Sequence, residues 1–275
     1  MNGTFLVGYD VEANAPAATR AFLATARRVH EDLSAPCSLF VVGRTLRQSP
    51  DQFAELLCHP LFDLQQHTET HMLMKTVYQE NADGVTVFRG GSFDQVRADV
   101  AAAQATFAEL LGVRPIGLTG PYNYYRGLCD RPDLVEAVHD EGIRFLRTWG
   151  RDARDWQPTP FFAPFPLAPL GFDDVWEYGV HGWQDCILRQ QLGWADHDAY
   201  FAHVRDNLDH VAETGGVYSY VQHDWSSIQS DPEMALTRRI LAHARERGVR
   251  VVAYATDYAE RAATAARGAG PARVG

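Results

Sequence analysis

The stretch FDLQQHTETHM, Phe62 to Met72, reads as a short strand whose end delivers His67, with a second histidine, His71, four residues on. If that strand belongs to an α/β barrel, both imidazoles stand on the face where such folds gather their chemistry. If it does not, they are ordinary surface histidines. Upstream, Thr4 to Tyr9 is an apolar run with Asp10 at its C-terminal end, and residues 16 to 33 carry helical periodicity. CSLFVVG (37 to 43) is a second strand stopped by Gly43, and SPDQFAELLCH opens with a Ser cap and Pro at the first helical position.

Downstream, a loop around 79 to 93 precedes a long helix near 94 to 111. RPIGLTGPY reads as strand and turn, followed by a helix near 131 to 141 and the strand IRFLRTW. The proline-rich QPTPFFAPFPLAPLG is expected to be an irregular excursion packing aromatics over a site. A helix over about 196 to 213, the strand GVYSYVQH, a helix over 231 to 247 and the strand GVRVVAYA complete the pattern. Strands alternating with helices predict an α/β fold with a mainly parallel sheet, open or closed into a barrel. No internal repeat is visible, so one domain over residues 1–262 is the simplest account. The small, turn-rich tail over 263–275 is expected to be loose.

Composition bounds the function. The chain has 275 residues, 46% hydrophobic and 22% charged, enough for a substantial core. A net charge of −10 without any Lys/Arg block argues against nucleic acid or an anionic membrane as partner. No basic leader or long apolar run is present, which predicts neither export nor membrane insertion. Four scattered cysteines without a CxxC pair read as reduced, core-filling thiols of a cytoplasmic protein.

Ligand-type residues fall at the inferred strand ends: Asp10 and Glu12, His67 and His71, Asp155, and His223. Two imidazoles four apart share a face if the strand runs into a helical turn, and a nearby carboxylate would complete a His-His-carboxylate set with open positions for water. The plain alternative is a chance pairing among eleven histidines. The zincin motif does not apply, because it needs Glu directly after the first histidine and HTETH has it two residues on.

Over roughly residues 4 to 260 the chain resembles the polysaccharide deacetylase family, carbohydrate esterase family 4. GYDVE resembles its first motif, a strand ending in two carboxylates, and SLFVVGR resembles its second strand. HTETH fits its His-Ser/Thr-x-x-His motif, and GLTGPYNYY stands where it carries an Arg-x-Pro-Tyr-like turn. DARDW is similar to its Asp-x-x-Asp-Trp motif, YVQHD to its closing Leu-x-His-type motif, and RERGVRVVAYATDYAER to its terminal helix and strand. The resemblance implies a distorted (β/α)7-type barrel and a divalent metal held by Glu12, His67 and His71. Zinc is the expected ion, with cobalt or nickel as alternatives.

It further implies Asp10 as general base, His223 as general acid, Asp155 as the carboxylate orienting that histidine, the Tyr122 backbone N–H as oxyanion donor, and Trp156 as a wall of the acyl pocket. Such a set suits amide hydrolysis: a metal polarises the carbonyl and acidifies water, while base and acid act on opposite sides of the scissile bond. Plainer roles stand beside these: a cap for Asp10 or Asp155, a solvated Glu12, a core His223, packing for Tyr122 and Trp156. The family's arginine beside the base is replaced by Thr119, leaving Arg126, Arg147 or Arg154 to reach the same place.

The expected substrate is an N-acetylated sugar or related small N-acyl compound. Cyclic amides or ureides are an alternative, as is a catalytically silent carbohydrate-binding relative, a reading motivated by Thr119 in place of the family's arginine. A third reading takes HTE with His223 as an iron-oxygenase triad, although those sit mostly on all-β folds. The aromatic segments NYY, DWQPTPFF, DVWEYGVHGW and HDW are open to sugar stacking or to core packing. Oligomeric state is not legible.

Overall fold

The computed structural model describes residues 3–81 and 84–268. Its strands are β1 (Thr4–Val11), β2 (Cys37–Val41), β3 (Phe62–Gln66), β4 (Val77–Asn81), β5 (Gly84–Phe88), β6 (Gly117–Tyr125), β7 (Phe145–Arg151), β8 (Phe165–Leu167), β9 (Phe172–Gly179), β10 (Val217–His223) and β11 (Arg250–Val252). Parallel pairing runs in the order β10-β1-β2-β3-β6-β7-β9, with helices between most neighbours, and short β11 joins the start of β1. Seven parallel strands thus make an incomplete barrel. No ladder joins β9 to β10 among the described residues, but His181 N–H donates across that seam to the Ser219 carbonyl at 2.9 Å.

Alternation along β1 explains where the site forms. Phe5, Val7, Tyr9 and Val11 pack outward into the layer of helices, with Phe22, Leu23, Ala26 and Val29 of the helix Pro16–Leu33. The other parity turns inward: Leu6 joins Phe40, Phe145, Trp176, Tyr178 and Tyr254 in the barrel interior. Gly8, Asp10 and Glu12 continue that inward row toward the strand's C-terminal end. In β10, Tyr218 and Tyr220 pack outward while Val217 lies in the interior, so His223 shares the inward parity. Asp10 and His223 are direct partners in the β1–β10 register.

Three expectations need correcting. The segment expected as a loop around 79–93 is largely the antiparallel hairpin β4–β5. A strand the pattern did not predict, β9, holds most of DVWEYGVHGW. Of the two alternatives left open for that segment the structure takes core packing, with Trp176 and Tyr178 in the interior. The C-terminal helix Tyr254–Gly268 runs through the first six residues of the supposed loose tail, and 269–275 lie outside the described residues. The proline-rich excursion is mainly irregular, apart from β8 and a single 3-10 turn. Among the cysteines, all free, only Cys37 is buried as a core filler, while Cys58 is exposed.

Candidate active site

Side chains from four strand ends meet in a cavity of about 200 Å³. Glu12, His67 and His71 offer ligand atoms all within 4.8 Å of one another. Glu12 Oε2 lies 2.7 Å from His71 Nε2 and 3.3 Å from His67 Nε2. His67 Nδ1 sits 2.9 Å from the Thr119 carbonyl, which makes Nδ1 the protonated nitrogen. His67 Nε2 then presents a lone pair to a carboxylate oxygen. Two acceptors face each other, an arrangement that calls for a cation or a second proton between them. Glu12 Oε1 accepts from Trp225 Nε1 at 3.0 Å. Burial alone would raise the Glu12 pKa; the His223 charge and the hydrogen bonds to His67 and His71 hold it well below the usual carboxylate range.

The turn from His67 to His71 is not helical. Thr68 (φ 60°) and His71 (φ 62°) are left-handed, a conformation costing non-glycine residues of order 1 kcal/mol or more. Asp99, on the helix Phe93–Leu111, holds the turn by accepting from Glu69 N–H (2.9 Å), Thr70 N–H (3.1 Å) and the Thr70 hydroxyl (2.7 Å). Thr68 Oγ1 accepts from Met72 N–H at 3.1 Å. Nothing local in the sequence marks Asp99, a helix residue, as the clamp of a distant loop.

Asp10 forms an ion pair with Arg147 Nη2. Arg147 is fully buried, stacks 4.1 Å over the Phe40 ring, and donates through Nε to Thr119 Oγ1 at 3.1 Å. Thr119 and Arg147 are register partners in β6 and β7. The cation absent at position 119 is therefore supplied by the adjacent strand, with Thr119 as its hydrogen-bond partner. A Cβ on Gly8 would collide with the Arg147 guanidinium, so the close approach needs glycine there.

His223 meets a different carboxylate from the expected one. Asp185 Oδ1 lies 2.6 Å from His223 Nδ1, and Asp185 Oδ2 accepts His223 N–H at 3.0 Å. Burial by itself would lower the His223 pKa; the Asp185 charge, with Cys186 and Glu12 adding, carries it well above the ordinary imidazole value. Asp155 does not reach His223: its Oδ2 accepts from Tyr78 N–H at 2.6 Å, which ties the segment after β7 to the hairpin. The placement expected for Asp155 belongs to Asp185, at the start of the helix Asp185–Leu192.

Tyr122 lies where β6 leaves its ladder. Between the register pairs Thr119–Arg147 and Tyr124–Trp149, β6 carries extra residues that bulge out, and Tyr122 (φ 66°) and Asn123 (φ 52°) are left-handed. Arg151 Nε holds the Tyr122 carbonyl at 3.0 Å. Trp156 is not part of the cavity lining, and its backbone N–H and carbonyl bond to Asp152. The tryptophan on the cavity wall is Trp225, from HDW, 5.6 Å from the His223 ring. Cys186 also lines the wall.

Neither a family model nor a curated protein matches the sequence. Solved structures do. A Mycobacterium smegmatis protein classed as a polysaccharide deacetylase matches with a TM-score of 0.69 at 16% identity, over 96% of this chain and 92% of that one. The allantoinase Puue matches with a TM-score of 0.69 at 16% identity, over 95% and 90%. A Bacillus anthracis pseudoenzyme of carbohydrate esterase family 4 matches with a TM-score of 0.55 at 12% identity, over 94% and 66%. At such identities the likeness speaks to architecture, and this chain has the fold of the polysaccharide deacetylases of carbohydrate esterase family 4.

Proposed function

We propose that the chain is a metal-dependent hydrolase of non-peptide C–N bonds, deacetylating a small N-acyl compound, in a reducing cytoplasmic setting. The observation that carries this reading is the mutual facing of His67 Nε2, His71 Nε2 and a Glu12 carboxylate oxygen. Two neutral-imidazole nitrogens and one carboxylate fit a zinc-type ion with open positions, and the Thr119 carbonyl fixes the required His67 tautomer. A divalent cation held there supplies Lewis acidity, polarising an acyl carbonyl and making water easier to deprotonate.

The chain's own groups do the rest. Asp10, oriented by its ion pair with Arg147, takes a proton from the water that attacks the acyl carbon. The Tyr122 N–H, on a turn pinned by Arg151, is the proposed donor to the developing oxyanion. His223, kept charged by Asp185, delivers its proton to the departing nitrogen as the C–N bond breaks. The products are a carboxylic acid and an amine. Trp225 orients Glu12 and walls the acyl end.

Hydrolysis of a cyclic ureide stays as a second reading, favoured by the small cavity and by the allantoinase among the structural neighbours. The silent-relative reading loses its motive, because it rested on the missing arginine and Arg147 stands beside Asp10. The test is acetate release from N-acetylated sugars, and ring opening of cyclic ureides, with added zinc, cobalt or nickel. Turnover that disappears in Asp10→Asn supports the reading. No turnover on either panel with metal bound would favour the silent-relative reading over the hydrolase.

A further inference from the structure

Arg151 closes β7 at the wall of the same cavity and is 4% exposed. Its Nε donates to the Tyr122 and Asn123 carbonyls at 3.0 and 3.1 Å, and its Nη1 to the Asp155 carbonyl at 2.6 Å. All three acceptors are neutral. Among the described residues no carboxylate forms an ion pair with this guanidinium, and Nη2 has no hydrogen-bond partner. Asp155 is near enough to favour the charge, but its Oδ2 accepts from Tyr78 N–H. Arg189, also buried without an ion pair, lies 4.7 Å over the Tyr200 ring and does not line this cavity.

Burial still lowers the Arg151 pKa on balance, because Asp155 favours the charge without pairing with it and repays its removal from water only in part. Here the other charges of the cavity have partners: Asp10 has Arg147, His223 has Asp185, and Glu12 faces the two histidines around the proposed cation. Arg151 alone is left facing the space that a substrate enters. A planar guanidinium with a free N–H edge suits a carboxylate better than a sugar hydroxyl. The cavity, at about 200 Å³, lies below the roughly 300–1,000 Å³ of common ligand pockets, which favours a compact substrate group at this end.

We propose that the substrate is a small N-acyl or N-carbamoyl compound bearing a carboxylate close to the scissile amide, and that Arg151 binds this carboxylate. The proposal rests on the hydrolase reading for the word substrate, but its test needs no turnover. Calorimetric titration compares N-acetylalanine with its uncharged counterpart N-acetylalaninamide, on zinc-loaded and on metal-stripped protein. The wild type is expected to bind the acid about tenfold or more tightly than the amide in both states, as a charge-assisted pair implies. Arg151→Met is expected to lose the preference, and Arg151→Lys, which keeps charge without the fork, to fall between.

Because Arg151 also pins the Tyr122 turn, the wild-type comparison decides even if Arg151→Met is unfolded. Acid binding no tighter than amide binding, including no binding of either, overturns the proposal. So does a preference seen only with zinc, or one that survives in folded Arg151→Met. An acid preference without any hydrolysis would instead remove the hydrolase reading and leave the Arg151 site standing.

Discussion

At the residue scale, the site consists of charges arranged in pairs across separate strand ends. The sequence motifs placed Asp10, Glu12, His67, His71 and His223 at those ends, and the structure brings all five into one cavity. Two partners were not legible. Asp185 lies 38 residues before His223 in chain order, inside HGWQDCIL, where no motif separates it from a helix-capping acid. Arg147 reaches Asp10 only because β6 and β7 are in register, which a linear reading cannot supply. Asp185 carries a testable consequence. The raised His223 pKa means its proton is kept through neutral pH and lost only as pH rises through the folded-state value. Asp185→Asn removes that carboxylate, so the alkaline limb of kcat is expected to move to lower pH, with kcat down on the order of 10²–10⁴-fold at neutral pH. A pH–rate profile with an unmoved limb would show that another group supplies the proton.

Arg147 gives a second residue-scale outcome. Removing one partner of a buried ion pair leaves the other charge orphaned, at about 3–5 kcal/mol. Arg147→Met is therefore expected to lower stability and turnover together, while the metal stoichiometry, which depends on other side chains, stays unchanged. Metal loss in a folded Arg147→Met would show that the base pocket and the metal pocket are not separable.

At the element scale, the strained turns do the positioning. Six non-glycine residues with positive φ (Thr68, His71, Tyr122, Asn123, Arg126 and Asp155) cluster on or after β3, β6 and β7, at the end of the sheet that carries the candidate site. The alternation of strands and helices was readable because inward and outward rows are both apolar over most of each strand. The hairpin β4–β5 was not, since Val85 and Val87 are exposed and no packed face marks its period. Nor was β9, whose first half is partly solvated and whose aromatics look alike in a lid or a core. The Thr68–His71 turn depends on Asp99 for three hydrogen bonds. Asp99→Ala is expected to weaken zinc affinity by roughly 10–100-fold, as loss of an outer support does, while the fold persists. Competition with a chromogenic chelator measures this; unchanged affinity would mean that the turn holds its shape without Asp99.

At the scale of the whole molecule, the interior also contains an acid that takes no part in the proposed chemistry. Glu177, fully buried on β9, accepts from Thr148 N–H (2.7 Å) and Trp149 N–H (2.9 Å) through Oε1, while Oε2 meets the Thr148 hydroxyl at 2.6 Å. Burial raises its pKa from 4.5 to about 8 against the opposing hydrogen bonds. Between those values the folded state holds a proton that the unfolded state has released, so this group makes stability fall as pH rises and adds no slope above about 8. Glutamine reproduces the acceptor and donor pattern of the protonated acid. Glu177→Gln is expected to match the wild type near pH 5 and to exceed its stability increasingly up to about pH 8, by a few kcal/mol at most, with a corresponding gain in Tm. A Tm difference that stays constant across that range would show that Glu177 titrates normally.

The central claim is that strand ends bring Glu12, His67 and His71 around one divalent cation beside Asp10. The most direct measurement is elemental analysis of purified protein after incubation with zinc and desalting. About one equivalent is expected in the wild type and in Asp10→Asn, and close to none in His67→Ala or His71→Ala, all with unchanged far-ultraviolet circular dichroism. Wild-type protein that retains no transition metal, or histidine variants that retain as much as the wild type, would contradict the account.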